Sequence, residues 1–537
     1  MPGATRAGAR YASLLFGFVA FLVLANNLTF FDKLTDVYAW REHAGFIVSL
    51  AILQASLLVI LVQCFSLLLT TRLTIILFLL IGSAAAYFTD TYGTIIDTTM
   101  LQNMVETNLA EAADLFNPAL ALRLTLFGIL PAILAYFVLR NEQPFFHRLS
   151  THAAITAVSV LLSAACLLTY SDSYASFFRE HKTVRLYSNP IYPVYSAMLS
   201  ASEQFSRPAG PFEQRLADAH QEHVDTRPKL MVMVVGETAR PDHFSLYGYR
   251  RETTPLMDHE AGIVTYDPMT ACGTTTAVSV PCMFSFSPAD SFERDQIYQQ
   301  ENVLDVLARV GVSVLWRDNN SSSKGVADRV AYEDFRDPAV NRDCDEECRD
   351  PGMLKGLQSF INEQSGDILI VLHQMGNHGP AYASRYPRAF EVFQPACRSA
   401  ELADCSPEEI RNAYDNAIRY TDYFLAEVVA LLRQNTNTFD SAMLYVGDHG
   451  ESLGENGLYL HGMPKMLAPS EQLLVPLLLW LPENSSISHE SALAHQHDRL
   501  SHDAISSTLL KLFDVESTEI SPGPLLFEKG GAIVVSR

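Results

Sequence analysis

Basic residues are in short supply. The 537-residue sequence holds 38 Lys and Arg against 60 Asp and Glu, a formal net charge of −22, which excludes the basic face that a nucleic-acid partner requires. Cysteine is sparse as well. There are eight, and no two stand at Cys-x-x-Cys spacing, which argues against a cysteine-based zinc site. Charge is missing altogether from long stretches of the first third. Tyr11–Phe31 has none, Ala44–Thr71 has none over 28 positions, and Leu73–Thr89 and Leu124–Leu139 have none. Leu149–Ser171 carries only His152. The first of these runs lacks a small-residue cleavage site, so it reads as an anchor and not as a removed signal.

The five uncharged runs predict five membrane helices. The third and fourth fall short of the ~20 residues that cross a bilayer, so they must borrow flanking residues. Pro131, inside the fourth, is tolerable there. Arg6 and Arg10, Arg72, and Arg140 and Arg148 mark the cytoplasmic ends, whereas the loop 90–122 carries Asp90, Asp97, Glu106, Glu111 and Asp114 without Lys or Arg. Lys/Arg bias therefore places the N-terminus inside and everything after Ser171 outside. This predicts a transmembrane domain (1–171), an interfacial connector rich in aromatic and basic residues (172–228, with a helix-like run Phe212–Val224), and a soluble domain (229–537).

Cys64 and Cys166 lie in apolar runs and read as small buried residues. The other six fall into close pairs, Cys272 with Cys282, Cys344 with Cys348, and Cys397 with Cys405, which points to disulfides in an oxidising compartment. In the outer loop, Asn103, Thr107 and Glu111 recur every four residues and share one helical face. They form either a solvated helix lying on the membrane or a polar platform for a lipid headgroup.

After Lys229, short apolar runs (Leu230–Val235, Val312–Trp316, Asp367–Leu372, Ser441–Val446) alternate with amphipathic stretches (Glu301–Arg309, Pro407–Leu432). This predicts an α/β domain with a mostly parallel central sheet. Ligands bind beyond the carboxyl ends of such strands, and Glu237, Asp448 and His449 stand there. Each alone has a plainer reading, a helix cap for Glu237 and ordinary hydrogen bonding for the Asp-His pair. Together with Thr276, from the cysteine-flanked Cys-Gly-Thr-Thr-Thr-Ala-Val-Ser-Val-Pro-Cys (272–282), they make a suitable ligand set for zinc, which would activate the hydroxyl. His378, between glycines, and His461 fit the same site, to hold a phosphate oxygen, protonate a leaving alkoxide or bind a second metal. The run Asp318–Gly325 offers donors and one cation, Lys324. His495, His497 and His502 read as ordinary surface groups.

Five stretches, Val-Gly-Glu-Thr-Ala-Arg (235–240), the 272–282 loop, Trp-Arg-Asp-Asn-Asn (316–320), Gly-Asn-His-Gly-Pro (376–380) and Gly-Asp-His-Gly-Glu-Ser-Leu-Gly-Glu-Asn-Gly (447–457), occur in the order that resembles the bacterial phosphoethanolamine transferases that modify lipid A, including the mobile colistin-resistance enzymes. The resemblance spans nearly the whole chain. It implies a five-helix membrane domain and a sulfatase/alkaline-phosphatase-like catalytic domain, periplasmic on an inner-membrane anchor. It implies a Thr276 nucleophile assisted by His378 and His461, and a zinc held by Glu237, Thr276, Asp448 and His449, with a second, weaker zinc near His378 and His461. It assigns Asn103, Thr107, Glu111, Thr274, Asn320, Ser321, Lys324, His378 and His461 to substrate. The implied donor is phosphatidylethanolamine, the acceptor lipid A, the surroundings membrane lipids, and the protein a monomer. Cys344 and Cys348 stand closer together than the family's pattern.

Rival readings are transfer to core sugars or another glycan, phosphoglycerol transfer, phosphodiester hydrolysis, and a membrane-tethered binding module. The last leaves the metal constellation unexplained. A formylglycine sulfatase needs Cys/Ser-x-Pro-x-Arg, whereas Cys272 is followed by Gly-Thr-Thr-Thr.

Overall fold

The computed structural model describes residues 2–106, 112–113, 115–139, 145–181, 183–206, 211–222, 227–521 and 523–528. The chain divides into two compact units, Met1–Met104 with Phe116–Arg207, and Val105–Leu115 with Pro208–Arg537.

The first unit is helical. Five helices are long and apolar enough to cross a membrane: α1 (Pro2–Ala25), α3 (Trp40–Leu68), α4 (Thr71–Tyr92), α5 (Pro118–Val138) and α6 (Phe145–Thr169), with α2 (Leu28–Val37) between the first two. The third and fourth spans do extend into flanking residues, to 22 and 21 positions. A helix satisfies its own backbone polar groups, which is what a hydrocarbon environment demands. α5 turns π-helical over Leu124–Ile129 just before Pro131, where the missing N–H interrupts the α pattern.

Two expectations fail here. The Tyr11–Phe31 run is two elements, because α1 ends at Ala25 and α2 starts at Leu28. Asn27 draws the chain out of the helix: its side-chain amide donates to Leu22 O (3.2 Å) and Asn189 O (2.7 Å), and its Oδ1 accepts from Gln54 Nε2 (2.7 Å) and Asn189 N (2.8 Å). Cys64 and Cys166 are not buried; Cys64, in α3, is exposed and Cys166, in α6, is half-buried.

The second unit is built on a seven-stranded sheet. Its strands are β1 (Lys229–Gly236), β2 (Ile263–Thr265), β3 (Ser313–Asp318), β4 (Ala331–Asp334), β5 (Ile368–His373), β6 (Asp440–Gly447) and β7 (Leu477–Trp480), in the order β2-β7-β6-β1-β5-β3-β4. The run β6-β1-β5-β3-β4 is parallel, and β7 pairs antiparallel with β6 and with β2. Every residue of β1, β5 and β6 is buried, as continuous apolar runs covered on both faces should be. Met231, Met233 and Val235 of β1 join one core with Leu304, Leu307, Ile505 and Leu509. The alternate residues face the long helix α8 (Pro407–Arg433), which the Ser406/Glu409 capping box starts. α8 also holds the loop after β1. Asp415 accepts from His243 Nδ1 (2.6 Å), Arg251 Nη1 (2.8 Å) and Tyr249 OH (2.9 Å).

Phe212–Val224, read as helix-like, contains no helix among its described residues. His220–Gln221 forms a short antiparallel strand with Val515–Glu516. The three close cysteine pairs are all disulfides. Cys272 is bonded to Cys282, Cys344 to Cys348 despite their short separation, and Cys397 to Cys405. The last of these ties the segment that leads into α8: Cys405 immediately precedes Ser406, the cap of that helix, and Cys397 N donates to Glu409 O (2.9 Å) in its first turn. That disulfide is a structural tie at the start of α8 and contributes no group to the metal cluster described below.

Asn27 supplies the test for the helical unit. Asn27→Leu strands the backbone N–H and C=O of Asn189 in a buried site, at about 1–3 kcal/mol each. Thermal unfolding of the full chain in detergent micelles is expected to move down by several degrees. An unchanged melting temperature would mean that this network does not stabilise the unit.

Candidate metal centre

The carboxyl ends of β6, β1, β5 and β3 lie side by side, and each delivers a polar side chain or the loop that carries one. Gly236 and Gly447 are register partners, so Glu237 and the Asp448–His449 pair emerge next to one another. Thr276 comes from the loop closed by Cys272–Cys282. It is the first residue of α7 (Thr276–Met283), so it stands at the end of the helix where backbone N–H groups lack intrahelical acceptors. The loop is held from within, since Ser279 Oγ accepts from Gly273 N and donates to Gly273 O, both at 3.0 Å.

The ligand atoms of Glu237, Asp448 and His449 all lie within 4.8 Å of one another, and all three residues are fully buried. Thr276 Oγ1 donates to Glu237 Oε2 at 3.1 Å and sits 3.4 Å from His449 Nε2. His449 Nε2 is 3.4 Å from Glu237 Oε1 and 3.3 Å from Asp448 Oδ2. His449 Nδ1 faces Gly450 O at 3.0 Å. A carbonyl only accepts, so that nitrogen carries the proton and Nε2 turns its lone pair toward the carboxylates.

The donor set fits a small divalent cation. Glu237 Oε1 and Asp448 Oδ2 are buried without a hydrogen-bond partner, whereas the opposite oxygens are tied down. Asp448 Oδ1 accepts from Thr238 N (3.1 Å) and His449 N (2.7 Å), and Glu237 Oε2 accepts from Asn320 Nδ2 (2.7 Å). Orphaned oxygens and an imidazole lone pair converging in a dry site are the arrangement a metal satisfies. Burial, then the Asp448 charge, pushes Glu237 up to about 7, and burial also raises Asp448. Burial, then His461, pushes His449 down to about 4.

A second group of histidines borders this cluster. The His461 ring lies 4.4 Å from that of His449 and 5.4 Å from that of His378, centre to centre. Burial opposes charge on His461, but Glu451, whose Oε2 is 2.8 Å from Nδ1, raises it to about 9. Tyr382 OH fixes the other Glu451 oxygen at 2.6 Å. Burial, then the His461 charge, lowers His378, and Lys324 adds to that repulsion. Thr274 Oγ1 donates to Met463 O (2.7 Å) and Thr274 O accepts from Gly462 N (3.0 Å), which stitches the Thr276 loop to the His461 loop. Ser321 lies half-buried beside Asn320, whose Oδ1 accepts its N–H. Asn103 belongs to the helix Thr98–Glu106; Thr107 and Glu111 lie outside the described residues.

Several contributors escaped the sequence reading. Asp350, in no recognised motif, accepts from Asn319 Nδ2, Met375 N and Gly376 N (2.8, 2.9 and 3.1 Å) and so fixes the loop that carries His378. Gly376 has φ +52°, and a Cβ there would lie 2.9 Å from Glu237 O. Asp318 at the end of β3 accepts from Asn320 N (2.9 Å) and Trp316 Nε1 (2.8 Å) and pairs with His373 Nδ1 (3.0 Å). Glu451 was legible only as a member of its motif. His502 is not a surface group. It is fully buried, whereas His497 is exposed and His495 half-buried.

The raised Glu237 makes metal uptake pH-dependent. Its folded-state pKa lies above the ordinary 4.5. In the metal-free protein this group's stabilising contribution is therefore complete below about 4.5 and disappears as pH rises through about 7. A bound cation works the other way, because it displaces that proton. Metal affinity of the full chain is expected to fall by about tenfold per pH unit below 7, and Glu237→Gln to weaken it by ~100-fold or more. A pH-independent affinity would remove Glu237 from the ligand set.

Comparison with known proteins follows the same division of the chain. The sulfatase family matches residues 229–515, and the family described as phosphoethanolamine transferase EptA/EptB matches residues 54–205. The phosphatidylethanolamine transferase Mcr-1 of Escherichia coli is 44% identical over 513 residues, 93% of this chain and 94% of that protein. The phosphoethanolamine transferase EptA of Salmonella typhimurium is 36% identical over 519 residues, 94% of each. The solved structure of the integral membrane lipooligosaccharide phosphoethanolamine transferase A of Neisseria meningitidis superposes with a TM-score of 0.89 at 31% identity, covering 94% of this chain and 97% of that one. With Thr276 set against a buried Glu-Asp-His cluster in a sulfatase-like domain, and five apolar helices preceding it in the chain, the protein belongs to the EptA/EptB family of phosphoethanolamine transferases.

Proposed function

We propose that this chain is a zinc enzyme of the bacterial inner membrane that moves phosphoethanolamine from phosphatidylethanolamine to a phosphate of lipid A, through a covalent intermediate on Thr276. Its N-terminus is cytoplasmic, residues 229–537 work in the periplasm, and it acts as a monomer. The observation that carries this reading is the Thr276 hydroxyl, 3.1 Å from Glu237 Oε2 and 3.4 Å from His449 Nε2 at the start of a helix.

Glu237, Thr276, Asp448 and His449 would hold the zinc, which when bound would supply positive charge that makes the threonine oxygen a better nucleophile. The Thr276 hydroxyl directs its proton at Glu237 Oε2, leaving a lone pair for phosphorus. In the first step Thr276 Oγ1 bonds to phosphorus and the bond to the diacylglycerol oxygen breaks. His461 is suited to protonate that oxygen: Glu451 occupies Nδ1 and keeps the ring charged, so Nε2–H is the outward donor. In the second step a lipid A phosphate oxygen attacks, the P–Oγ1 bond breaks, Thr276 takes back the proton that passed to Glu237 Oε2 in the first step, and the acceptor phosphate's own proton restores His461. The N–H groups at the start of α7, with Lys324 and His378, accommodate the phosphoryl oxygens. Thr274, Asn320 and Ser321 complete the headgroup site. Asn103, Thr107 and Glu111 are assigned to lipid headgroups by family resemblance alone. His378 and His461 would hold a second, weaker zinc only with the His461 proton gone. The transferred amine offsets phosphate charge at the outer surface and so weakens attraction of cationic peptides such as polymyxin.

The full chain in mixed micelles with phosphatidylethanolamine tests this. Mass spectrometry is expected to find phosphoethanolamine on the Thr276 peptide and then on lipid A. Thr276→Ala, still folded by thermal melt, is expected to show neither. Chelation is expected to silence transfer and added zinc to restore it. Free phosphoethanolamine in place of modified lipid A would make the protein a hydrolase, and label on core sugars would change the acceptor.

A further inference from the structure

Two separate loops must stay in register for the site to exist. One starts at Cys272 and carries Thr276, and the other starts at Gly447 and carries Asp448 and His449. Among the described residues no backbone hydrogen bond joins 272–276 directly to 447–449. One side chain does span them. His502, fully buried, accepts the Cys272 N–H at Nδ1 (3.2 Å) and reaches Gly447 O with Nε2 (3.0 Å). The two partners decide the tautomer. Gly447 O only accepts, so Nε2 carries the hydrogen; the Cys272 N–H only donates, so Nδ1 offers its lone pair. Both nitrogens are used and the ring is neutral, in keeping with burial pushing this histidine down to about 4. The ring itself is held from behind, where His502 N donates to Thr270 O (3.1 Å) and its carbonyl accepts from Ile505 N (3.0 Å) as the helix Asp503–Leu512 begins.

We propose that His502 is a positioning residue: a neutral imidazole strut that sets the distance between the Thr276 loop and the Asp448–His449 loop. It touches neither substrate nor ligand atoms, so it is not a catalytic residue. Its leverage comes from place. Three residues separate Cys272 from Thr276, and Gly447 directly precedes Asp448. A slip of about 1 Å between nucleophile and ligands costs on the order of 100-fold in rate, and loss of a group that orients metal ligands costs about 10–100-fold in metal affinity. An apolar side chain could fill the volume, but only a group with one donor and one acceptor facing opposite ways makes both bonds. The inference rests on the proposed function for its kinetic arm and is independent of it for its metal arm.

Three variants of the full chain in micelles separate the two roles a buried ring can play. His502→Phe keeps the bulk and removes both hydrogen bonds, His502→Gln keeps an acceptor and a donor, and His502→Ala removes everything. For the Phe variant we expect kcat for lipid A modification to fall about 100-fold with KM for phosphatidylethanolamine within about twofold, and the zinc dissociation constant to rise at least ~10-fold. The Gln variant is expected to recover most of both. Phe and Gln variants that behave alike would overturn the strut, because packing alone would then explain His502; so would a Phe variant with unchanged zinc affinity. If the Ala variant fails to fold, the Phe–Gln pair still decides. If the wild type modifies no lipid A at all, the proposed function fails while the zinc comparison still judges His502.

Discussion

Two carboxylates buried together, with one imidazole nitrogen between them, set the terms for the soluble unit. Glu237 and Asp448 have no exposure and their ligand atoms lie within 4.8 Å of each other. Two unit charges at that separation repel by roughly 3–4 kcal/mol even at an effective dielectric near 20. Desolvation adds to this, and among the described residues no arginine or lysine is ion-paired to either. Other buried acids of the unit are saturated instead: Asp415 accepts three side-chain hydrogen bonds, and both oxygens of Asp350 are occupied by donors. The free oxygens of Glu237 and Asp448 therefore mark a place kept for a cation, and binding it stabilises the fold that assembled it.

Holding that arrangement takes more residues than the reaction uses. Asn320 steadies Glu237, and Asp318 steadies Asn320. Asp350 fixes the loop before His378, and Tyr382 with Glu451 fixes His461. Several of these ties come from turns and loops and not from the strands themselves, Asp350 and Tyr382 among them. The parallel sheet brings those ends into one row, but it does not orient the side chains beyond them. Buried polar networks do that, and they restrict each site group to one rotamer and one tautomer.

That division explains how much was legible in the sequence. Strands β1, β3, β5 and β6 showed as continuous apolar runs, and residues placed just after them by counting alone, Glu237, Asp448 and His449, do meet. The five spans showed because lipid tolerates so few charges. The disulfides, Cys397–Cys405 among them, showed because each closes a short local loop. What failed depended on partners distant in the chain. Asn27 ends α1 because Asn189 and Gln54 claim its amide, and nothing local announces this. Phe212–Val224 has a helix-like charge pattern, yet His220–Gln221 pairs with a strand almost 300 residues later. His502 and Asp350 looked ordinary because a histidine or aspartate in a loop carries no periodic signal. Their burial is a property of the folded chain.

Charge balance in the site bears on what kind of anion it can process. A divalent cation bound there would cancel Glu237 and Asp448, and Glu451 cancels a protonated His461. Net attraction for a phosphodiester is therefore modest, with Lys324 adding one positive charge beside the histidines. What the site offers is direction: Glu451 sits behind the His461 ring at Nδ1, Thr276 opens α7, and the lone pair of His449 is aimed by Gly450 O. Fixed donors of this kind stabilise charge as it moves between the attacking and leaving oxygens more than they stabilise the resting diester. A site that bound the diester tightly by net charge would also retain the modified lipid, which bears the same group, so weak ground-state binding with strong orientation suits an enzyme whose substrate and product differ so little in charge.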